Sequence, residues 1–251
     1  RNASTLLNRA YSKEQFWDAR SPTLEDQAIA PLANPEEMTT APDEASAHRT
    51  CVARLAAVPG YRRWFQRVFG NPAPNIRRVG LALATFERTL FSGNSAYDRY
   101  EAGDRTALNE SQLRGKALFF GRTSCFACHE GPNFTNEIPA NTGVNQQDGP
   151  SRDRGQFEVT RYEWLTGFFK PPSLREAART APYMHDGSLQ SLEEVVEHYN
   201  KGGGKNLHLD DRLIKLHLTA QEKRDLVAFL EALNGEGWQH VRPPAPEELP
   251  Q

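Results

Sequence analysis

The chain has 251 residues and a mass of 28.2 kDa, enough to bury a substantial core. Lys and Arg number 30 against 32 Asp and Glu, a net charge of −2, which lacks the basic excess of a phosphate-binding domain. No apolar run approaches the ~20 residues of a membrane span, and three cysteines are too few for a disulfide scaffold. Neither a nucleic-acid partner nor a membrane span is therefore expected.

The chain opens abruptly. Arg1-Asn2-Ala3-Ser4-Thr5-Leu6-Leu7 reads like the middle of a domain, and no cationic start runs into an apolar stretch. The expectation is a processed or truncated product without a signal peptide. Residues 23–32 and 47–57 carry weak helical patterns. Tyr61, Trp64, Phe65 and Val68 predict a short helix over 61–69, after Pro59-Gly60. Ile76, Val79, Leu83, Phe86 and Leu90 recur at helical steps and predict an amphipathic helix over 75–91, packed on those five residues. Ser92-Gly93-Asn94 and the polar stretch 101–109 mark a boundary between two halves.

The second half opens with a predicted helix over about 110–120. Residues 139–156 are rich in Gly, Asn, Asp and Gln and read as a long loop. Two helices follow with capping-box starts, Ser191 with Glu194 and Thr219 with Glu222, stopped at Gly202-Gly203-Gly204 and Asn234-Gly235. Residues 242–251 hold four prolines and predict an extended tail. The fold class is mainly α.

Cys125-Phe126-Ala127-Cys128-His129 is a Cys-x-x-Cys-His motif. Two thiols at this spacing add across the two vinyl groups of a haem, and the next imidazole becomes the proximal iron ligand. A structural zinc site would want a second cysteine pair, and Cys51 stands alone. A thiol redox pair would want a βαβ context, which is absent from the pattern. A zinc or thiol protein would give a colourless preparation. The candidates for the sixth iron ligand are Met184 by spacing and Tyr199 by helical phase. Leu192, Val195, Val196 and Tyr199 share one face of their helix, whereas His198 points away. The alternative for Tyr199 is a core tyrosine with a satisfied hydroxyl.

Thr180-Ala181-Pro182-Tyr183-Met184-His185-Asp186-Gly187-Ser188, followed by Leu192-Glu193-Glu194-Val195-Val196, resembles the C-terminal haem domain of the bacterial dihaem cytochrome c peroxidase/MauG family. Phe16-Trp17-Asp18-Ala19-Arg20, Leu24-Glu25-Asp26-Gln27-Ala28, Pro31 and Asn34-Pro35-Glu36-Glu37-Met38 resemble its N-terminal haem domain. The resemblance implies cytochrome c-like domains, the C-terminal one complete and the N-terminal one partial. It implies a remainder of the N-terminal, peroxidatic domain over 1–105, a C-terminal cytochrome c domain over 106–240 and the proline-rich tail over 241–251. By position Glu37 matches the distal acid, supported by Gln27 and Pro31, and Trp17 matches the tryptophan between the two haems. Asn2, Thr180 and Pro182 match the oxygen donors of a calcium site. The resemblance favours Tyr199 as ligand, with Met184 packing against the haem and His185 beside its propionates.

Two departures from the family pattern matter. The first Cys-x-x-Cys-His of the family should lie upstream of Arg1 and this chain has no second copy, so either the N-terminal part was removed, or it sits on another chain, or this piece is a one-haem remnant; one haem c is expected in this chain and a second in the full protein. Quinone-forming members carry Trp where this chain has Thr123. The implied function is a periplasmic oxidoreductase using hydrogen peroxide, in which the C-terminal haem relays or stores oxidising equivalents. Its expected partner is a small cytochrome, a copper protein or a protein substrate. The alternative is a monohaem c-type electron-transfer module without peroxidase activity of its own.

Overall fold

The computed structural model describes residues 1–144, 153–242, 244–245 and 250. The loop expected at 139–156 thus lies outside the described residues at 145–152, and the expected tail does so at 243, 246–249 and 251. Among the described residues the architecture is helical, with isolated β-bridges and no ladder.

The chain forms two compact units. One comprises Arg9–Gln15, Ser21–Leu90 and Trp238–Gln251. It contains α1 (Leu24–Ile29), α2 (Glu44–Ala57), α3 (Pro59–Phe69) and α4 (Ile76–Glu87). Side chains of Thr23, Asp43 and Asn75 cap α1, α2 and α4 by accepting from backbone amides of the first turn. Helix α3 starts with Pro59 in its first turn and stops at Gly70, whose φ of 69° is the left-handed conformation that glycine adopts without strain. The buried face of α4 differs from the expected one. Val79, Gly80, Ala84 and Glu87 are buried, whereas Leu83 and Phe86 are exposed. The reason is a close helix approach. A Cβ on Gly80 would lie 3.0 Å from the Glu25 carbonyl oxygen and from Ile29, so small residues carry the α1–α4 contact and the bulkier side chains turn outward.

The other unit comprises Arg1–Asn8, Phe16–Arg20 and Phe91–Gly237. It contains α5 (Ala96–Glu101), α6 (Glu110–Phe120), α7 (Phe157–Thr160), α8 (Leu192–Asn200) and α9 (Ala220–Glu231). Residues 91–105, on the N-terminal side of a cut at 105, belong to this unit because α5 delivers Tyr97 into its aromatic core. Tyr97, Phe119, Phe134 and Phe229 meet at centroid distances of 5.1–6.4 Å, most of them edge to face. Leu192, Val196, Leu218, Leu226, Leu230 and Leu233 extend that core. Capping boxes start α6 and α9, which cross at Gly115 with their backbones nearly touching.

One buried carboxylate braces this crossing. Asp225 is 2% exposed and accepts from Ser111 Oγ (2.6 Å), Arg114 Nε (2.8 Å) and Gln221 Nε2 (2.9 Å). Arg114 above all, then Ser111 and Gln221, hold its pKa far below the ordinary carboxylate value against the opposing effect of burial. A depressed folded pKa means stability that is fully present above the unfolded value of about 3.9 and is lost as pH falls below it. Thermal melts between pH 6 and pH 2.5 should show Tm falling on this limb. Asp225→Asn should melt lower at pH 6 but lose part of the acid dependence.

Candidate haem site

The Cys-x-x-Cys-His segment leaves α6 through a tight reversal. The Thr123 amide (3.2 Å) and hydroxyl (2.7 Å) both donate to the Leu118 carbonyl, and Ser124 adopts a left-handed φ of 53°. A 3-10 turn over Cys125–Ala127 follows. Within it the Cys128 and His129 amides donate to the Cys125 carbonyl at 3.2 and 3.0 Å. Asn136 ties the loop from outside, its amide donating to the Cys128 carbonyl (2.9 Å) and its Nδ2 to the Ala127 carbonyl (3.0 Å). Arg212 Nη1 reaches that same Ala127 carbonyl at 3.3 Å. Both thiols are free of disulfides. Burial pushes each thiol pKa up, opposed at Cys125 by the Thr123 hydroxyl and at Cys128 by Arg212.

His129 Nδ1 lies 2.9 Å from the Phe134 carbonyl oxygen. A carbonyl only accepts, so Nδ1 carries the proton and the Nε2 lone pair is left for a metal. Burial lowers the imidazole pKa, with the Phe134 and Pro172 carbonyls opposing it, so the ring is held neutral near pH 7. Tyr199 comes from the last turn of α8 and is half-buried overall. Its hydroxyl pKa is raised, first by burial and then by the Cys128 and Cys125 sulfurs, which places the phenol within electrostatic reach of both thiols. The neighbouring His198 turns elsewhere, its Nε2 donating to the Thr142 carbonyl at 2.9 Å.

Met184 is half-buried with a left-handed φ of 67°. His185 is buried, its ring stacked 3.7 Å from that of Phe169. The His185 carbonyl accepts from the Asn2 amide at 2.7 Å. Asn2 Nδ2 lies 2.6 Å from the Pro182 carbonyl. Thr180, two residues away and exposed, caps the Ala177 carbonyl with its hydroxyl at 3.3 Å. Trp17 Nε1 donates to the Asn2 carbonyl at 2.9 Å, and the Trp17 carbonyl accepts from the Lys170 amide at 2.7 Å.

Glu37, Gln27 and Pro31 belong to the other unit. Successive turns join them along the chain: Ala30 N to Gln27 O, Asn34 N to Pro31 O and Glu37 N to Asn34 O, at 3.0–3.2 Å. Glu37 is exposed and accepts from Asn34 Nδ2 at 2.8 Å. Gln27 Oε1 is buried without a hydrogen-bond partner among the described residues, an acceptor site left open. Cys51 stands half-buried in α2. No cluster of three or more His, Cys, Asp or Glu suited to a metal ion occurs among the described residues.

Sequence reasoning overlooked Phe134, whose carbonyl meets the histidine, Asn136, which ties the cysteine loop, and the Arg175–Asp98 pair beside Pro132. One of them had a signal. Ser95 and Asp98 form a capping box at the start of α5, three residues apart like those of the helices the pattern did find.

Two thiols three residues apart, an imidazole whose Nε2 lone pair is left for a metal and the half-buried Tyr199, on a helical frame, make up the residue set of a c-type haem protein. The chain belongs to the dihaem cytochrome c peroxidase/MauG family, whose members bind haem c. A family model described as di-haem cytochrome c peroxidase matches residues 1–106. The methylamine utilization protein MauG of Methylorubrum extorquens is 40% identical over 252 residues, which span 100% of this chain and 67% of that protein. The cytochrome-c peroxidase IdrP1 of a Pseudomonas species is 37% identical over 285 residues, 99% of this chain and 72% of its own. Among solved structures, a MauG-like protein associated with microbial copper homeostasis superimposes with a TM-score of 0.83 at 32% identity, covering 94% of this chain and 75% of that one. Among the described residues, no helix is long and apolar enough to cross a membrane.

Proposed function

We propose that Cys125 and Cys128 would carry one covalently attached haem c, with His129 offering a nitrogen and Tyr199 an oxygen to its iron, in a periplasmic oxidoreductase that draws its oxidising power from hydrogen peroxide. The observation that carries this reading is the His129–Phe134 hydrogen bond, which frees Nε2 beside two unpaired thiols. The haem would supply an iron that gains and loses single electrons. The chain's own residues do the rest. Burial favours the neutral form of His129, and its carbonyl partner orients the ring. Tyr199 offers a phenol that, once deprotonated, favours ferric and higher-valent iron. Met184 and His185 pack beside the group. In the other unit Glu37 is the carboxylate that takes a proton from one peroxide oxygen and returns it to the other, with Gln27 and Pro31 shaping its surroundings; Trp17, in the unit of the cysteine motif, relays charge. That part requires a second haem on an N-terminal segment.

Asn2, Thr180 and Pro182 would hold Ca²⁺. Asn2 and Pro182 are within reach of each other, Asn2 Nδ2 donating to the Pro182 carbonyl at 2.6 Å, and hard oxygens of this kind suit Ca²⁺. The reductant is a redox protein: a small cytochrome, a copper protein or a protein substrate. The electron-carrier reading also stays in play, since three cysteines allow one Cys-x-x-Cys-His in this chain.

Peroxide consumption by the haem-loaded full-length product, with a reduced cytochrome or copper protein supplied, tests the enzyme reading. Turnover supports it, and electron exchange without peroxide loss supports the carrier. In the same preparation Tyr199→Phe should change the ferric visible spectrum and raise the reduction potential. If Met184→Leu does so instead, the methionine is the ligand.

A further inference from the structure

The carbonyl that receives the His129 proton sits in an unusual piece of backbone. Phe134 has a φ of +53°, a conformation that a bulky residue keeps only when its surroundings impose it. Three constraints are visible. Its amide donates to the Gly131 carbonyl at 3.0 Å. Its ring is buried in the aromatic core against Tyr97 and Phe119. The third is Arg175, whose side chain is only 9% exposed. Arg175 Nε donates to the Pro132 carbonyl at 2.6 Å, and its guanidinium lies 5.7 Å from the Phe134 ring centre. Its two terminal nitrogens grip Asp98 at 2.8 and 2.9 Å. Asp98 in turn accepts from the amide and hydroxyl of Ser95, both at 2.9 Å.

We propose that Arg175 and Asp98 are positioning residues of the haem site: a balanced charge pair behind the Phe134 carbonyl that sets how strongly His129 donates electron density and thereby the reduction potential of the iron. The inference rests on the reading of His129 as proximal ligand. A cation beside the 132–134 peptides draws electron density from the carbonyl that accepts the imidazole proton, which weakens the hydrogen bond and makes the histidine a poorer donor. The carboxylate cancels that pull. Tyr97 lies edge-on to Phe134 at 5.1 Å; burial above all raises its hydroxyl pKa, Glu101 and then Asp98 add to that, and Arg175 opposes it.

Each charge has a second anchor that does not depend on the other. Without the guanidinium, Asp98 is still bound by Ser95. Without the carboxylate, Arg175 is still bound to the Pro132 carbonyl. Neutralising either partner therefore leaves the other charge in place and uncompensated. An unopposed carboxylate disfavours adding an electron to the iron, and an unopposed guanidinium favours it. Arg175→Gln should lower the midpoint potential and Asp98→Asn should raise it. The shift should be on the order of tenfold in the one-electron equilibrium, ~59 mV, in opposite directions. Arg175→Lys keeps the charge and should stay closest to wild type.

The test is spectroelectrochemical titration of the haem-loaded protein and the three variants, with the ferric spectrum and Tm recorded for each. Opposite shifts support the proposal, because mere loosening of the loop would move both neutral variants the same way. Shifts of one sign, or none, in variants that retain covalent haem overturn it while leaving the haem assignment intact. A wild-type preparation without covalent haem removes that assignment, and the proposal with it.

Discussion

Alanine in place of His129 should leave a porphyrin tethered through two thioethers but deprived of its strong nitrogen ligand. The ferric visible bands should move, and the midpoint potential should change by more than either variant of the Arg175–Asp98 pair produces. Peroxide turnover should fall beyond the 10–100-fold that loss of an outer-shell partner costs a metal site. The magnitude follows from the geometry. His129 is locked as the Nδ1–H tautomer by a 2.9 Å hydrogen bond to Phe134. His198, the neighbour of Tyr199, is engaged with the Thr142 carbonyl and cannot replace it without breaking that bond. Added imidazole should restore part of the spectrum. An unaltered spectrum in His129→Ala would show that iron is bound elsewhere.

The second large effect belongs to the frame. A Cβ added to Gly115 would lie 1.9 Å from the Asp225 carbonyl oxygen, 2.6 Å from its carbon and 2.8 Å from the Phe229 Cβ. All three are main-chain or adjacent atoms, so no side-chain rotation relieves the clash. Overpacking of a core commonly costs ~1–3 kcal/mol, and Gly115→Ala should reach at least the upper end, because α6 and α9 must separate. For a chain of this size that corresponds to a Tm lower by about 6–12 °C. Gly93→Ala is the matched control: its Cβ would meet nothing within 4 Å, so Tm should stay within about 2 °C of wild type. Equal melting of the two variants, followed by circular dichroism, would rule out the tight crossing. Because α6 leads into the cysteine loop, Gly115→Ala should also lower the yield of covalent pigment.

Much of the helical frame could be read from side chains alone, since capping residues act locally. Ser191 and Thr219 each bond an amide within three residues, so their meaning survives without a fold. The α4 face was harder to read. Its contact is made by Gly80 and Ala84, which carry little hydrophobic signal, whereas the conspicuous Leu83 and Phe86 point outward. In the site, the Cys-x-x-Cys-His spacing was legible because three reactive groups lie within five residues. The support of His129 was not. It involves left-handed backbone at Ser124 and Phe134, and the guanidinium proposed to tune it stands 46 positions along the chain from the imidazole. Nothing in a phenylalanine announces that its carbonyl will be the functional atom. Glu37 could be singled out only through resemblance, because an exposed carboxylate beside an asparagine looks like any other.

The nine-residue helix α8 presents His198 and Tyr199 about 100° apart. The Thr142 carbonyl accepts both from His198 and, at 3.1 Å, from the Gly204 amide. Gly143 and Gly204 meet so closely that a Cβ on either would fall within 2.0 Å of the other's carbonyl oxygen. These contacts lock the azimuth of the helix. A slip of one register position would put the His198 imidazole where the Tyr199 phenol now stands without altering any amino acid of the helix, so which of the two side chains takes that place is vested in two residues that have no side chain at all.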